Sequence, residues 1–157
     1  MKKDRSFAEG TTVSVAKSKT EIDTMLTQHG ATSIGMLVNE TSAMICFEMQ
    51  CRRIKMVLPM PSPNDPAFAK DGRGTRTPEQ RETACEAERR RRWRALSLVL
   101  KAKLESVHSG IERFEEAFLA HILAPDGQTV GDVAIPQLAR AYKEGVSMPL
   151  LLGVGSK

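Results

Sequence analysis

The densest chemistry in the sequence is cationic, and it lies between residues 89 and 103. Four consecutive arginines, a tryptophan and a fifth arginine occupy residues 89–94, and lysines follow at positions 101 and 103. No carboxylate interrupts this stretch, so its positive field is not neutralised from within. Guanidinium and ammonium groups at this density bind polyanions, and the phosphate backbone of nucleic acid is the partner that this chemistry favours.

Carboxylates upstream explain only part of this run. Glu86 and Arg90, and likewise Glu88 and Arg92, are four residues apart and can pair on one helix. The other cations have no carboxylate four residues upstream, so a binding role is favoured over a solvated or intersubunit charged face. Cations of a candidate strand extend this patch if the long helix packs across the sheet, because the helix cations and the strand cations then border one groove. The predicted nucleic-acid-binding residues are Arg52, Arg53, Lys55, Arg90, Arg91, Arg94 and Lys101.

Signals for catalysis and metal binding are weak. The sequence has no P-loop, no GxSxG and no HExxH motif. Asp65, Asp71 and Glu79 are candidate carboxylates of a metal-dependent nuclease, but they lie in or beside a loop that lacks the fixed geometry metal catalysis needs. We therefore predict no catalytic residue, no metal site, no cofactor and a protein that is not an enzyme.

Aromatic residues are few, which limits how the protein can read nucleic acid. The chain has one tryptophan, one tyrosine and five phenylalanines. Trp93 falls on an apolar helical stripe and is predicted as a core anchor rather than a base-stacking residue. Contacts to the nucleic-acid backbone are therefore favoured, and binding is predicted to be sequence-tolerant.

Length and composition predict one globular domain in the cytoplasm. A chain of 157 residues can bury one core, and its net charge of +4 is modest. No apolar run is long enough to span a bilayer, and the first residues lead into no signal-peptide core, so no membrane contact is predicted. The three cysteines form no CxxC pair, which favours reduced, packed side chains.

The first half of the chain has the alternation of a β-meander. A strand is predicted over residues 11–17, followed by a short helix that begins at Ser18 and ends before Gly30. Three further antiparallel strands are predicted over residues 33–38, 43–50 and 53–58. Prolines and glycines then indicate a long loop over residues 59–76, in which Lys70, Arg73 and Arg76 flank two glycines and could contact phosphate.

The second half of the chain is predicted to be helical. Thr77, Pro78 and Gln80 form a capping signal for a long helix that ends near residue 109. This helix carries two apolar stripes on nearly opposite sides, which the sheet and either the C-terminal helices or another subunit should cover. Further helices are predicted over residues 111–123 and from Thr129 to about residue 145. Pro136 should kink the last helix or delay its start.

Together these elements predict an α+β fold with an antiparallel three- to four-stranded sheet packed against a long helix and a C-terminal helical part. The predicted domain covers residues 11–152, and a flexible arm (1–10) and a tail (153–157) flank it. Within the domain we predict a sheet part (11–58), a loop (59–76) and a helical part (77–145).

Four stretches of the second half resemble small uncharacterised proteins of bacteriophages and prophages. They are RWRAL (92–96), LKAKLE (100–105), FEEAFLAH (114–121) and PDGQTVG (125–131). The likeness extends over most of the chain, from residue 13 to residue 152. That family has no established activity, so the resemblance implies a mobile-element setting and no catalytic residues. Small basic proteins in such settings often serve DNA replication, recombination or defence evasion.

The order of elements, a strand meander followed by a long basic helix, is also similar to the β-β-β-α core of single-strand annealing proteins. Our first hypothesis is a non-enzymatic accessory protein that binds DNA, mainly single-stranded, and that self-associates as a homo-oligomer. The alternative is an inhibitor that binds a host defence protein, and a third possibility is a small metal-dependent nuclease. Fold alone does not decide between these functions.

Overall fold

A computed structural model describes residues 8–147 of the chain. Most of the predicted arm (1–7) and the C-terminal residues 148–157, including the predicted tail, lie outside the described residues. The elements are α1 (Val15–Gln28), β1 (Thr32–Val38), β2 (Ser42–Met49), β3 (Arg52–Pro59), β4 (Lys70–Asp71), β5 (Gly74–Thr75), α2 (Pro78–His108), α3 (Phe114–Phe118) and α4 (Val130–Glu144).

The α+β fold predicted from the sequence is confirmed. Strands β1, β2 and β3 form an antiparallel meander in which Ile45 is paired with Met36 on one side and with Met56 on the other. Alternate residues of β2, among them Ile45 and Phe47, are buried, so one face of the sheet forms the floor of the core. The helices α1, α2 and α3 cover that face and share one core cluster with it.

The prediction of a strand over residues 11–17 is wrong, because α1 begins within this stretch, at Val15. The Ser14 hydroxyl accepts a hydrogen bond from the Lys17 N–H and caps the helix, four residues before the predicted cap. Val15, Ser18 and Ile22 then recur on one helical face against the core. Helical periodicity and this cap outweigh the weak alternation of Val13 and Val15.

The long helix begins and ends where the sequence indicates. Thr77 and Gln80 form the predicted capping box of α2, with Pro78 in the first turn. The first apolar stripe is buried, with Trp93 only 1% exposed and Leu100 fully covered. The second stripe, of Ala95, Leu98, Val99 and Ala102, is only partly covered within residues 8–147, since Ala95 and Leu98 are half-buried whereas Val99 is 45% exposed.

The third predicted helix is much shorter than residues 111–123. Its described part is α3 followed by a 3-10 turn over Leu119–His121, and Ile111 is 77% exposed before it. Ile122 forms a β-bridge with Ile54, and the Leu123 N–H donates to the Arg53 carbonyl oxygen at 2.8 Å. Pairing with the edge of β3 therefore replaces the last helical turns. The predicted cap Thr129 is correct, and Pro136 lies inside α4 rather than delaying its start.

The loop over residues 59–76 is more ordered than its composition indicates. A 3-10 turn covers Pro66–Phe68, and β4 and β5 form a short antiparallel hairpin around Gly72 and Arg73. The Arg76 N–H donates to the Ala69 carbonyl oxygen at 3.0 Å and closes the base of this hairpin. The hairpin therefore leads directly into α2.

Gly131 offers a direct test of how α4 is attached. A Cβ at this position would lie 2.7 Å from the Ala120 carbonyl oxygen, so only glycine allows this approach. We expect Gly131→Ala to lower the free energy of unfolding by about 1 to 3 kcal/mol, measured by urea denaturation. Gly35→Ala is the matched control because its Cβ would meet nothing within 4 Å. Equal losses in both variants would contradict the steric explanation.

Candidate nucleic-acid interface

Glu88 organises the arginines in the middle of α2. Its two carboxylate oxygens accept hydrogen bonds from Arg91 Nη2 at 2.6 Å and Arg91 Nε at 2.7 Å. Arg92 Nε also donates to Glu88, at 2.8 Å, and Arg92 Nη1 reaches the Pro59 carbonyl oxygen at 2.5 Å. Such charge-assisted bonds are among the stronger hydrogen bonds in proteins. The group therefore links the middle of α2 to the end of β3.

Two further arginines of the run are also paired. Arg89 lies 2.5 Å from a Glu86 carboxylate oxygen and donates to the Pro61 carbonyl oxygen at 3.4 Å. Arg94 forms a salt bridge with Glu21 of α1. Of the two ion pairs predicted from the sequence, Glu88 with Arg92 is confirmed, whereas Glu86 pairs with Arg89 instead of Arg90. These pairs hold α2 in place and reduce the charge available to a ligand.

Of the four α2 cations predicted to bind nucleic acid, Arg91 and Arg94 are paired with carboxylates, whereas Arg90 and Lys101 are not. Neither has a carboxylate oxygen within 4.0 Å among residues 8–147. Both belong to a ridge of α2 whose positions, Arg90, Arg94, Ser97 and Lys101, recur every three or four residues on one side of the helix. Lys101 is exposed and Arg90 is half-buried. This side of α2 therefore keeps unneutralised positive charge.

Two concavities lie along this ridge. The α1–α2 groove, of about 590 Å³, lies between the two helices. Its polar lining consists of three cations, two carboxylates and two hydroxyls: Lys17, Arg94, Lys101, Glu21, Glu105, Thr20 and Thr24. The N-terminal cleft, of about 930 Å³, lies where α1 begins and is lined by Arg76, Arg90 and Arg91. Cations and hydroxyls are the groups that most often contact phosphate oxygens.

The strand cations are not in this groove. Arg53 and Lys55 alternate with the buried Ile54 and Met56, so they lie on the sheet face opposite α2. The structure therefore does not bring the two predicted sets together. At the start of the same strand, Arg52 forms a salt bridge of 3.4 Å with Glu115 of α3.

Lys55 belongs to a separate cavity of about 460 Å³ between β3 and α4, together with His121 and Asp132. Burial lowers the pKa of His121, and the nearby Lys103 adds to this effect. The imidazole is therefore neutral at pH 7 and contributes no positive charge to this cavity.

Trp93 is a core residue, as predicted. It is 1% exposed, and Lys19 Nζ lies 4.8 Å from the centroid of its ring. The indole is therefore packed under α1 and has no face free for a base.

The three carboxylates considered for a nuclease site have separate local roles. Asp65 accepts a hydrogen bond from the Ser62 N–H, Asp71 from the Arg73 N–H, and Glu79 lies in the first turn of α2. Among residues 8–147, no group of three or more His, Cys, Asp or Glu side chains is placed to hold a metal ion.

Comparison with protein-family models, curated proteins and solved structures gave no match to this chain. Within residues 8–147, no helix combines the length and the apolar content that a membrane span requires.

The Glu88 cluster makes a pH-dependent prediction. Hydrogen bonds from Arg91 and Arg92 hold the pKa of Glu88 below its ordinary value of 4.5. A depressed carboxyl pKa stabilises the fold above the ordinary pKa, and this stabilisation is lost as the pH falls through the lower folded value. We expect Glu88→Gln to cost about 2 kcal/mol of unfolding free energy at neutral pH. In urea denaturation the difference from wild type should shrink below pH 4.5.

Glu40→Gln is the control for this measurement, because Glu40 is exposed in the turn after β1. We expect it to leave the unfolding free energy within about 0.5 kcal/mol of wild type at every pH. A difference between wild type and Glu88→Gln that stays constant down to low pH would show that the carboxylate charge is not what stabilises this part of α2.

Proposed function

We propose that this protein is a non-enzymatic accessory protein of a bacteriophage or related mobile element, which binds DNA in the host cytoplasm during replication or recombination. The DNA follows the ridge of α2, along the α1–α2 groove and into the N-terminal cleft. One observation carries the proposal: Arg90 and Lys101 have no carboxylate partner among residues 8–147, on one side of a helix whose arginines at positions 89, 91, 92 and 94 are paired with carboxylates.

The dimensions of the ridge suit a nucleic-acid backbone. Arg90 and Lys101 are eleven residues apart, which corresponds to about 16 Å along an α-helix. One strand of a duplex carries a phosphate about every 3.4 Å along the helix axis, so the ridge is about five phosphates long. Lys17 adds a cation and Thr24 a hydroxyl along the same groove, whereas the Thr20 hydroxyl already donates to the Ala16 carbonyl oxygen at 3.1 Å. Donors of this kind neutralise phosphates without reading bases, so binding is sequence-tolerant.

Self-association is the second part of the proposal. The outer face of the sheet and the nearby helix α4 expose apolar side chains, with Leu37 at 65%, Val57 at 58% and Ile135 at 61% of their full exposure. Contiguous apolar surface of this kind is typical of a protein contact. A second copy would cover it and leave the α1–α2 groove, which lies on the other side of the sheet, open to DNA in each protomer.

Sedimentation velocity of the purified protein tests this part directly. We expect an oligomer at micromolar concentration, which Val57→Ser combined with Ile135→Ser shifts toward monomer. A wild-type protein that sediments as a monomer would contradict self-association. The same exposed face also suits a host protein, which is the alternative function. A stoichiometric host partner that survives nuclease treatment, together with no DNA binding by the isolated protein, would favour that alternative.

Fluorescence anisotropy with labelled single-stranded and duplex DNA, at low and moderate salt, tests the DNA-binding surface. We expect Arg90→Ala combined with Lys101→Ala to weaken binding roughly tenfold or more for unrelated sequences. The slope of affinity against salt should fall by about one to two, because two phosphate contacts are lost. Arg53→Ala with Lys55→Ala removes the same charge from the opposite face and should leave affinity unchanged, with sedimentation velocity used to check that this variant assembles like wild type. If only the Arg53→Ala, Lys55→Ala double variant lost DNA binding, the proposed surface would be wrong.

A further inference from the structure

The N-terminal cleft differs from the α1–α2 groove in having an apolar wall. Its lining includes Phe68 of the 3-10 turn and Ala84 and Ala87 of α2. The two alanines are three residues apart and therefore adjacent on one helical face. Because their side chains are small, the cleft keeps a volume of about 930 Å³. An aromatic ring beside small apolar side chains forms a slot that a flat ring can enter.

Phe68 is held in position although it belongs to a loop. It ends the 3-10 turn over Pro66–Phe68, and its N–H donates to the Asp65 carbonyl oxygen at 2.9 Å. The neighbouring Ala69 carbonyl oxygen accepts the Arg76 N–H, which ties this turn to the start of α2. The ring is half-buried, so part of it is available to the cleft. An aromatic side chain on an ordered backbone loses less conformational freedom on binding than one on a mobile loop.

Cations line the same cleft. Arg90 has no carboxylate within 4.0 Å among residues 8–147, while Arg76 lies 3.4 Å from Asp71. Glu88 is also in the lining, but Arg91 and Arg92 offset its charge. The cleft therefore places net positive charge beside its apolar wall, and hydroxyls of Thr12 and Ser14 complete its rim.

We infer that the N-terminal cleft binds one unpaired nucleotide of a DNA strand, with the base against Phe68 and the adjacent phosphate on Arg90. This inference rests on the proposed function and deepens it, because it makes single-stranded DNA the preferred ligand. In a duplex the bases are stacked and paired, so no base can enter a slot in the protein without first leaving the helix. Stacking of one base on an aromatic side chain raises affinity roughly tenfold.

The test compares three labelled ligands of equal length: a single strand, the same strand with abasic sites in place of its bases, and a duplex. The abasic strand keeps every phosphate and lacks only the stacking groups. We expect the wild-type protein to bind the intact single strand roughly tenfold more tightly than the abasic strand. Equal affinity for these two strands would overturn the inference.

Two variants assign the effect to this cleft. Phe68→Leu removes the aromatic ring and keeps an apolar side chain of similar size. Ala87→Leu fills the cleft from an exposed position on α2, where leucine is a good helix former. We expect each variant to lose the difference between intact and abasic strands while duplex affinity stays unchanged. Melting followed by circular dichroism checks that both remain folded, and Ala87→Leu carries the test if Phe68→Leu does not fold.

The outcomes separate this inference from the proposed function. If Arg90→Ala with Lys101→Ala leaves all three affinities unchanged, the DNA-binding surface itself is wrong. If that double variant binds all three ligands more weakly, but Phe68→Leu and Ala87→Leu still bind the intact strand more tightly than the abasic strand, only the base slot is wrong. Loss of that preference in both cleft variants, with phosphate binding intact, is the result that supports the slot.

Discussion

Glu88 accepts hydrogen bonds from both Arg91 and Arg92, and Arg92 continues to the Pro59 carbonyl oxygen at the end of β3. Like charges on adjacent turns of a helix repel, and these partners offset that repulsion within the arginine run. Arg94 is paired in the same way with Glu21 of α1. Together with the buried stripe that contains Trp93 and Leu100, these bonds fix α2 on the core, and they leave Arg90 without a carboxylate partner among residues 8–147.

The sequence predicted most of the sheet and α2 because their signals are local and strong. The meander follows from alternating apolar residues, and α2 follows from Thr77, Pro78 and Gln80 at its start. The errors came where a distant contact decided the outcome. Residues 15–17 alternate weakly, but the cap at Ser14 and the core contact of Ile22 make them helical. The edge of β3 likewise takes Ile122 and Leu123 out of the predicted third helix.

The site was harder to predict than the fold, because spacing along one helix says nothing about partners on another. Arg94 is paired with Glu21, which lies far from it in the sequence. Arg89 and Arg91 form salt bridges with carboxylates three residues upstream on α2, a spacing that was not considered. The alternation of β3 would have placed Arg53 and Lys55 away from α2 once Ile54 and Met56 were assigned to the core. Lys17 was assigned to a strand and Phe68 to a loop, so the sequence did not predict that both residues lie beside α2.

Photo-crosslinking of single-stranded DNA that carries halogenated uracils, followed by mass spectrometry of the protein, tests the central claim most directly. It locates the bound strand on the intact protein without any substitution. The account predicts crosslinked peptides from the start of α1, from the turn that contains Phe68, and from the half of α2 between Ala84 and Lys101. Crosslinks confined to β3 around Arg53 and Lys55, or to α4, would contradict it.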